Sequence, residues 1–482
     1  MNPSASYYGE PELEPASAHH SEAGADFVAA LLHRGLTCGL HRPALVSDET
    51  QLGYMELRRQ VTVVAWNLAR LGLAAGHRIA LVLPPGPSLI PLLLGALHRG
   101  LLVSVLSTTL GPAALAYRLA ELAPDLVLHD ANELFRLDVL AGLGAPRSPE
   151  SALLLWTSGS LGQPRGVVLS TTAVLWNARR NASVLGLLST DRTLVVLDAA
   201  YCYALIHQIF SHLYVGAAVV LRADTSAQHA QLGPVCVRHQ ITTLATVPSM
   251  LRTLIRLPWL GESLRGLRLL TIGGATIPES LLQETHRTLP GAALFITYGL
   301  TEAGPRVCTR RYEPERPLDP GNVGVPIPGI ALRVDAAGEL WVQSPSVRLG
   351  YLRQGLLELA AAPSDWVATG DLAELQPDGS VRILGRLRPL INRAGVKIAP
   401  GEIERILEEH PGVAQARVVA MPHDRLGDVP LAYVVPQPGL APCPTALMSH
   451  CRELLGAAFV PAQVELVAQL PMAFRSWKEV MS

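Results

Sequence analysis

The sequence predicts an α/β protein in two parts: a large N-terminal domain of doubly wound α/β sheets plus a small β subdomain, then a smaller α+β C-terminal domain. Three observations point there. Between residues 54 and 272, short apolar runs of strand length alternate with segments of helical period. Over residues 323–347 the helical segments give way to short β-type segments set between glycine and proline turns. Past Gly385-Arg386 the chain starts afresh with its own strand and helix patterns, so a boundary falls near residue 388. A chain of 482 residues also exceeds what one hydrophobic core usually spans.

Taken in order, residues 1–24 are polar and acidic with no apolar core; they read as a disordered arm, not a signal peptide. The large domain then covers residues 25–387. In residues 54–73, Leu57, Val61, Val64, Leu68 and Leu71 recur at helical spacing with Arg58, Arg59 and Arg70 between them. Residues 79–83 read as a short buried strand. Residues 89–98 read as a helix stopped at Gly100, and 101–106 as a further strand. Gly111-Pro112 opens a helix to Leu122, and 126–128 is again strand-like. The apolar region 79–110 is broken by Pro84, Pro85, Pro87, Pro91, His98 and Arg99, so no transmembrane segment is expected there. Helices over 170–185 and 205–214 then alternate with strands over 194–197 and 217–221. Strands over 241–247 and 267–272 follow, the second running into Gly273-Gly274-Ala275. Residues 331–334, 340–342 and 380–384 are the strands of the later part, and 388–482 form the C-terminal domain.

Hydrophobic content of 49% and charged content of 16% describe a well-buried chain, which excludes a disordered one. Net charge is -1 with no basic block, so nothing favours nucleic-acid binding or attraction to membranes. The cysteines Cys38, Cys202, Cys236, Cys308, Cys443 and Cys451 form no Cys-x-x-Cys pair and no metal-ligand cluster. They read as reduced thiols of a cytoplasmic protein.

The most chemically suggestive stretch is residues 153–170, LLLWTSGSLGQPRGVVLS. Two apolar strands flank a loop built from Thr157, Ser158, Gly159, Ser160, Gly162, Pro164, Arg165 and Gly166. Small residues let a backbone approach a ligand, hydroxyls and free N–H groups supply donors, and Arg165 adds a positive charge. On these residues alone the loop reads equally as a polyphosphate cradle or as a plain Ser/Gly-rich hairpin. It is not the loop of P-loop NTPases, because that spacing and the following helix are missing.

The loop resembles the phosphate-binding signature of the adenylate-forming superfamily, which holds acyl-CoA synthetases, peptide-synthetase adenylation domains and firefly-type luciferases. The usual form is Thr-Ser-Gly-Thr-Thr-Gly-x-Pro-Lys-Gly. Here Leu161 stands where a small hydroxyl residue is usual, and Arg165 replaces a lysine, exchanging a mobile point charge for a planar fork. Further stretches resemble the family in its own order. Residues 197–205 occupy the place of the acyl-pocket motif, with Asp198 for a proline and Tyr201 at the gate; their spacing resembles acyl-CoA synthetases more than peptide synthetases. Gly273-Gly274-Ala275 resembles the turn that backs the adenine. Tyr298-Gly299-Leu300-Thr301-Glu302, residues 366–372 with Thr369-Gly370-Asp371, Gly385-Arg386 and residues 391–404 (INRAGVKIAPGEIE) complete the series. The resemblance runs from about Tyr54 to Pro471.

The resemblance implies an acid–thiol ligase of acyl-CoA-synthetase type. ATP would be held by Thr157, Ser158, Gly159, Ser160, Gly162, Arg165, Gly273, Gly274, Ala275, Tyr298, Gly299 and Asp371. Thr301, Glu302, Arg386 and Lys478 would be catalytic, with Glu302 as the Mg²⁺ ligand; Asp371 would accept the ribose hydroxyls. Tyr201, Tyr203 and Thr297 would wall the acyl pocket, and Arg388 would be the hinge that makes the small domain mobile. Glu402 and Glu404 suit a helix N-terminus after Pro400 and read as structural. In the tail the family lysine position falls on Trp477; Lys478 follows one residue late, and Arg475 is a possible stand-in. A small carboxylic acid would be adenylated with pyrophosphate release, then passed to CoA or to the phosphopantetheine of an acyl carrier protein. Two alternatives stand beside this: an amide-forming or amino-acid-adenylating ligase, and a non-catalytic nucleotide-binding homologue with an altered loop and tail.

Overall fold

A computed structural model describes residues 23–39, 42–135, 137, 143, 145–146, 152–157, 164–222, 232–316, 319, 321–359, 365–387 and 390–470. Most of the expected arm therefore lies outside the described residues, and its last two positions open the helix Ala23–Thr37. That helix buries Phe27, Val28, Leu31 and Leu32, which recur on one face at helical spacing.

Among the described residues the strands form three sheets. A seven-stranded sheet has a parallel centre, Leu126–Leu128, Arg78–Leu81, Leu102–Val105 and Ala152–Thr157, whose residues are almost wholly apolar because both faces are covered. Its chain then turns back on itself: Arg165–Ser170 pairs antiparallel with Ala152–Thr157, ending at the register pair Thr157 and Arg165. Helices Tyr54–Arg70 and Leu89–His98 pack together on this part of the core; the second is buried along nearly its whole length.

The thirteen-stranded sheet has a parallel run through Ala218–Val220, Arg192–Leu194, Thr243–Thr246, Leu269–Gly273 and Ala293–Gly299. The segments expected as a β subdomain continue it: Arg306–Arg311 pairs antiparallel with Ala293–Gly299, and Asn322–Pro326, Val381–Arg386, Val367–Leu375, Glu339–Gln343 and Ala331–Val334 follow outward. They keep a separate small core around Leu340, Val342 and Val381 while sharing the sheet. The helix expected over 205–214 has two parts, a wide π-type helix Tyr203–Phe210 and a short α-helix Ser211–Val215 closed by Gly216 at φ +81°. The wide turns set Tyr203 and His207 ring against ring, 4.7 Å between centroids.

The third sheet comprises Val396–Ile398, Ile391–Arg393, Gly427–Pro436, Val413–His423 and Gln463–Leu466, covered by helices Pro400–Glu408 and Pro444–Leu455 around Ile403, Ile406, Val434 and Leu447. Both helices begin with proline, whose fixed φ suits the first turn and whose missing N–H is no loss there. No described helix is long and apolar enough to cross a membrane.

Three polar or backbone contacts among the described residues help to seat this last unit on the rest. Gly111 N donates to Leu455 O at 3.1 Å, and a Cβ on Gly111 would lie 2.6 Å from the backbone at Gly456, so only glycine fits. Asn392 Nδ2 donates to Gly274 O at 2.8 Å. Glu402, 4% exposed, faces Arg118 at 4.0 Å, while Glu404 accepts from Val418 N at 2.8 Å. Both glutamates thus make tertiary contacts beyond their place near a helix N-terminus. Burial pushes Glu402 up from 4.5 to about 7, with Arg118 opposing only in part. A carboxyl raised on burial binds its proton more tightly in the assembled state, so its stabilising proton is lost as pH climbs from 4.5 toward 7. Glu402→Gln, neutral throughout, should gain stability over wild type across that interval, by on the order of 3 kcal/mol at the plateau. Thermal unfolding midpoints of both proteins across the pH range check this; parallel pH profiles would contradict it.

Candidate active site

The strands deliver their ends to one place. A cavity of about 1110 Å³ opens where the carboxyl ends of the parallel strands meet the hairpin of the third sheet. Ligands of open α/β sheets bind at such strand ends.

Thr157 and Arg165, the last paired residues of the loop-bearing hairpin, both line the cavity. Ser158, Gly159, Ser160, Leu161 and Gly162 lie outside the described residues, so only the rims of the expected cradle are seen. Arg165 stacks 5.7 Å from the centre of the Tyr351 ring, and Arg348 stacks on that ring at 4.6 Å. Tyr351 was not legible as a site residue, since it arrives on the strand Gly350–Arg353, nearly two hundred residues further on; Arg348 lies just before that strand.

Gly273 ends its strand directly beside Thr297; a Cβ there would come within 2.3 Å of Thr297 Oγ1. Gly274, at φ +85°, turns the chain along the cavity wall, and Ala275 lies exposed just beyond. Tyr298, Gly299, Thr301 and Glu302 line the cavity as the strand Ala293–Gly299 runs into the single turn Thr301–Ala303. Thr301 Oγ1 lies 3.2 Å from Cys202 Sγ, and burial raises that thiol above its ordinary range, so it stays protonated. Among the described residues no group of three or more His, Cys, Asp or Glu side chains could hold a metal ion. Glu302 is a single hard-oxygen donor on the cavity wall, which suits a Mg²⁺ whose other ligands are water and phosphate oxygens.

Asp371 is buried, and its two oxygens have partners: Oδ2 accepts from Tyr298 OH at 2.7 Å and Oδ1 from Arg386 Nε at 2.5 Å. The pairing of Asp371 with Arg386 is also a backbone register pair of adjacent strands. Burial, then the neighbouring carboxylate, drive the Tyr298 phenol well above its ordinary value, keeping it a donor. Withdrawal from water works against the Arg386 charge, but Asp371 outweighs it and holds the guanidinium more firmly cationic than usual. The sequence placed Asp371 as a free acceptor of ribose hydroxyls. In the structure it is first the anchor of Tyr298 and Arg386, with only its remaining lone pairs to offer.

Tyr201, Tyr203 and Thr297 line the cavity as expected of pocket walls. Tyr203 OH bonds Thr271 Oγ1 at 3.2 Å, and Thr297 Oγ1 donates to Ile272 O at 3.1 Å. Sequence reasoning missed Arg306 and Lys397. Arg306 reaches the cavity from the strand Arg306–Arg311 although it is 2% exposed. Lys397 sits on the hairpin of Ile391–Arg393 and Val396–Ile398, whose tip residue Gly395 packs on Val247. Its ammonium has no hydrogen-bond or ion-pair partner among the described residues; burial, then Arg386, lower its pKa. Lys397 stood inside the quoted INRAGVKIAPGEIE stretch, but insertion of that hairpin is a property of domain docking, which no local pattern reveals. Arg388, Arg475, Trp477 and Lys478 lie outside the described residues.

The chain matches the family of AMP-binding enzymes over residues 36–150 and 141–352, and the AMP-binding enzyme C-terminal domain over residues 402–476. It therefore belongs to the AMP-binding enzymes, the adenylate-forming ligases that the motif order resembles. It is similar to a sulfoacetate–CoA ligase of Cupriavidus necator, 29% identical over 92% of this chain and 95% of the relative. A feruloyl-CoA synthase of an Amycolatopsis species is 28% identical over 89% and 93%. Among solved structures, o-succinylbenzoate CoA synthetase from Bacillus subtilis superposes with a TM-score of 0.79, at 25% identity, over 92% of this chain and 95% of that one.

Asp371→Asn removes the anion that Tyr298 and Arg386 share. It should raise the Kd for ATP roughly tenfold or more, since hydrogen bonds to charged groups are worth about 1.5–3 kcal/mol. Calorimetric ATP binding to the two proteins is the check; unchanged affinity would remove Asp371 from the nucleotide site.

Proposed function

We propose that this AMP-forming acid–thiol ligase joins a small carboxylic acid to ATP as an acyl adenylate, releases pyrophosphate, and passes the acyl group to the thiol of CoA. The observation that supports it most is convergence: the phosphate-loop rims, Tyr298 to Glu302, Arg386 and the Lys397 hairpin meet on one cavity although they span most of the chain.

The chemistry needs positioning and charge neutralisation more than covalent help. Arg165 and the loop it borders would hold the leaving pyrophosphate. Tyr298 would offer a ring face to the adenine, with its hydroxyl fixed by Asp371. Glu302 would hold the Mg²⁺ that accompanies ATP and screens its phosphates. Arg386, kept charged by Asp371, would face the α-phosphate or ribose. Thr301 would donate to the same phosphate. The carboxylate attacks the α-phosphorus and the bond to pyrophosphate breaks; the thiol then attacks the acyl carbon and AMP leaves.

Two lysines would divide these steps. Lys397 belongs to the face of the small domain that the structure turns toward the cavity, and its lowered pKa suits a group near an incoming thiol. Lys478 would serve adenylation after the small domain turns about Arg388. An acyl carrier protein is an alternative acceptor, and the unpaired state of all six cysteines fits action in the cytoplasm. Asp198 gives the amine-adenylating reading little support, because its Oδ1 already accepts from Ala200 N at 2.9 Å.

Pyrophosphate release with ATP and a panel of acids tests the function, and product dependence on CoA, carrier protein or amine separates the acceptors. ATP binding with no turnover of any acid would leave a nucleotide-binding protein instead. Glu302→Gln should cut Mg·ATP-dependent adenylation by roughly a hundredfold or more; a wild-type rate would refute its metal role. Lys397→Met should slow thioester formation from supplied acyl adenylate while sparing pyrophosphate release, and Lys478→Ala should do the reverse. Identical losses in both half-reactions for both variants would end the proposed division.

A further inference from the structure

The acyl side of the cavity ends against a buried positive charge. Arg306 lines the cavity and is 2% exposed, yet it has no ion-pair partner among the described residues. Its acceptors are neutral. Nη1 donates to Thr309 Oγ1 at 3.1 Å, Nη2 contacts the His207 ring, and Tyr203 OH is a further hydrogen-bond partner. Burial, then Arg306 itself, push His207 well below its ordinary pKa, so the imidazole is neutral and able to accept.

A buried cation without an anion is costly: desolvating such an ion takes several kcal/mol that neutral acceptors return only in part. Burial accordingly lowers Arg306 from 12.5 to about 10, which still leaves it charged at neutral pH. The cavity's carboxylates do not neutralise it; Glu302 and Asp198 line the same cavity without pairing with it. The surroundings of Arg306 also differ from those at the nucleotide end. Lys397 lies under the influence of the charged Arg386, Asp371 and Glu302, whereas the hydrogen-bond partners of the Arg306 guanidinium, Thr309, His207 and Tyr203, are neutral. Through Tyr203, Arg306 connects to Thr271 and Thr297, the polar residues behind the Gly273 turn, where an acyl chain rather than a nucleotide would lie.

We propose that Arg306, braced by Tyr203 and His207, is an anion-binding subsite for a second, non-reacting acidic group of the substrate, a carboxylate or a sulfonate, so that the preferred acids are short dianions. This rests on the acid-activating reading above and narrows its substrate class. The guanidinium fork matches either anion with paired N–H donors. Nothing in the adenylation chemistry itself requires a charge there, which makes Arg306 a specificity determinant rather than part of the reacting centre.

The test has a binding arm and a turnover arm. In the binding arm, malonate, succinate, phthalate and sulfoacetate are compared with butyrate and benzoate by thermal shift, without ATP. The dianions should raise the wild-type melting temperature and leave Arg306→Met unmoved; sulfoacetate against malonate tells which anion fits better. In the turnover arm, Arg306→Met should lower kcat/KM for dianions roughly 100-fold in pyrophosphate release and leave butyrate and benzoate unchanged or improved. Arg306→Lys should restore part of the loss. ATP affinity, expected to stay at the wild-type value, reports that the variant is folded. If it is not, Thr309→Val, which removes an acceptor of the Arg306 guanidinium from outside the cavity lining, provides the second variant, with a smaller loss confined to dianions. The proposal is overturned if wild type binds and turns over the monoanions at least as well, if Arg306→Met lowers both classes equally, or if no dianion binds. ATP binding with no acid turned over would overturn the acid-activating reading as well, whereas monoanion turnover alone overturns only the subsite.

Discussion

One buried carboxylate organises the side of the cavity proposed to hold the nucleotide. Asp371 accepts from Tyr298 at 2.7 Å and Arg386 at 2.5 Å, and so ties together three separate strands of the large sheet. Each partner gains from the tie. The tyrosine is held as a donor in one orientation, and the arginine is held charged despite its removal from water. The same strand that ends at Arg386 leads into the connection to the last domain, so the anchor also fixes where that connection starts. A hydrogen-bond network in low dielectric is strong only when complete. Here the described partners complete it before any ligand arrives, which is what preorganisation requires.

The remaining cations are distributed by task. Arg165 and Arg348 lean on Tyr351 beside the loop rims, Arg386 leans on Asp371, and Lys397 and Arg306 face the cavity without a carboxylate partner. Each cation with a partner is held in place by it. Each one without a partner is ready for a charge that arrives with substrate. In the proposed reading, that contrast would orient an anionic substrate along the cavity.

Much of this was legible in the sequence because local chemistry fixed it. Gly111-Pro112 marks a helix start, alternating apolar runs mark a parallel sheet, and Tyr298 to Glu302 sit in one uninterrupted stretch. What escaped has one cause in common: it depends on where distant segments dock. The setting of Arg306 depends on the π-type helix that carries Tyr203 and His207, a register that apolar spacing in residues 205–214 did not announce. Tyr351 becomes a site residue only because its strand, Gly350–Arg353, lies beside Arg165–Ser170. The β segments after residue 322 have the spacing of an independent subdomain, yet edge pairing through Cys308 and Pro326 merges them with the main sheet. Sequence patterns report what a segment buries; they do not report against what.

The docking of the last domain bears on the proposed reorientation. Among the described residues its polar contacts with the rest include a side-chain hydrogen bond from Asn392, a glycine-to-backbone approach at Gly111, and the Arg118 and Glu402 pair at 4.0 Å, while Gly395 packs on Val247 and Ala114 joins its apolar core. Buried charge pairs at such separations return little over the cost of desolvation, and here both members are pushed toward neutrality. By contrast, the unit's interior is a continuous apolar core with five paired strands. A unit with its own paired strands and apolar core would move as a body without unfolding in the proposed rotation. In the proposed reaction the inserted hairpin would be one of two docked states. Glu402 adds a proton-dependent contribution to that choice, because its carboxyl is comfortable at the interface only when neutral. An arrangement held more tightly would place Lys397 just as well, but it would hold the chain in one half of a two-step reaction.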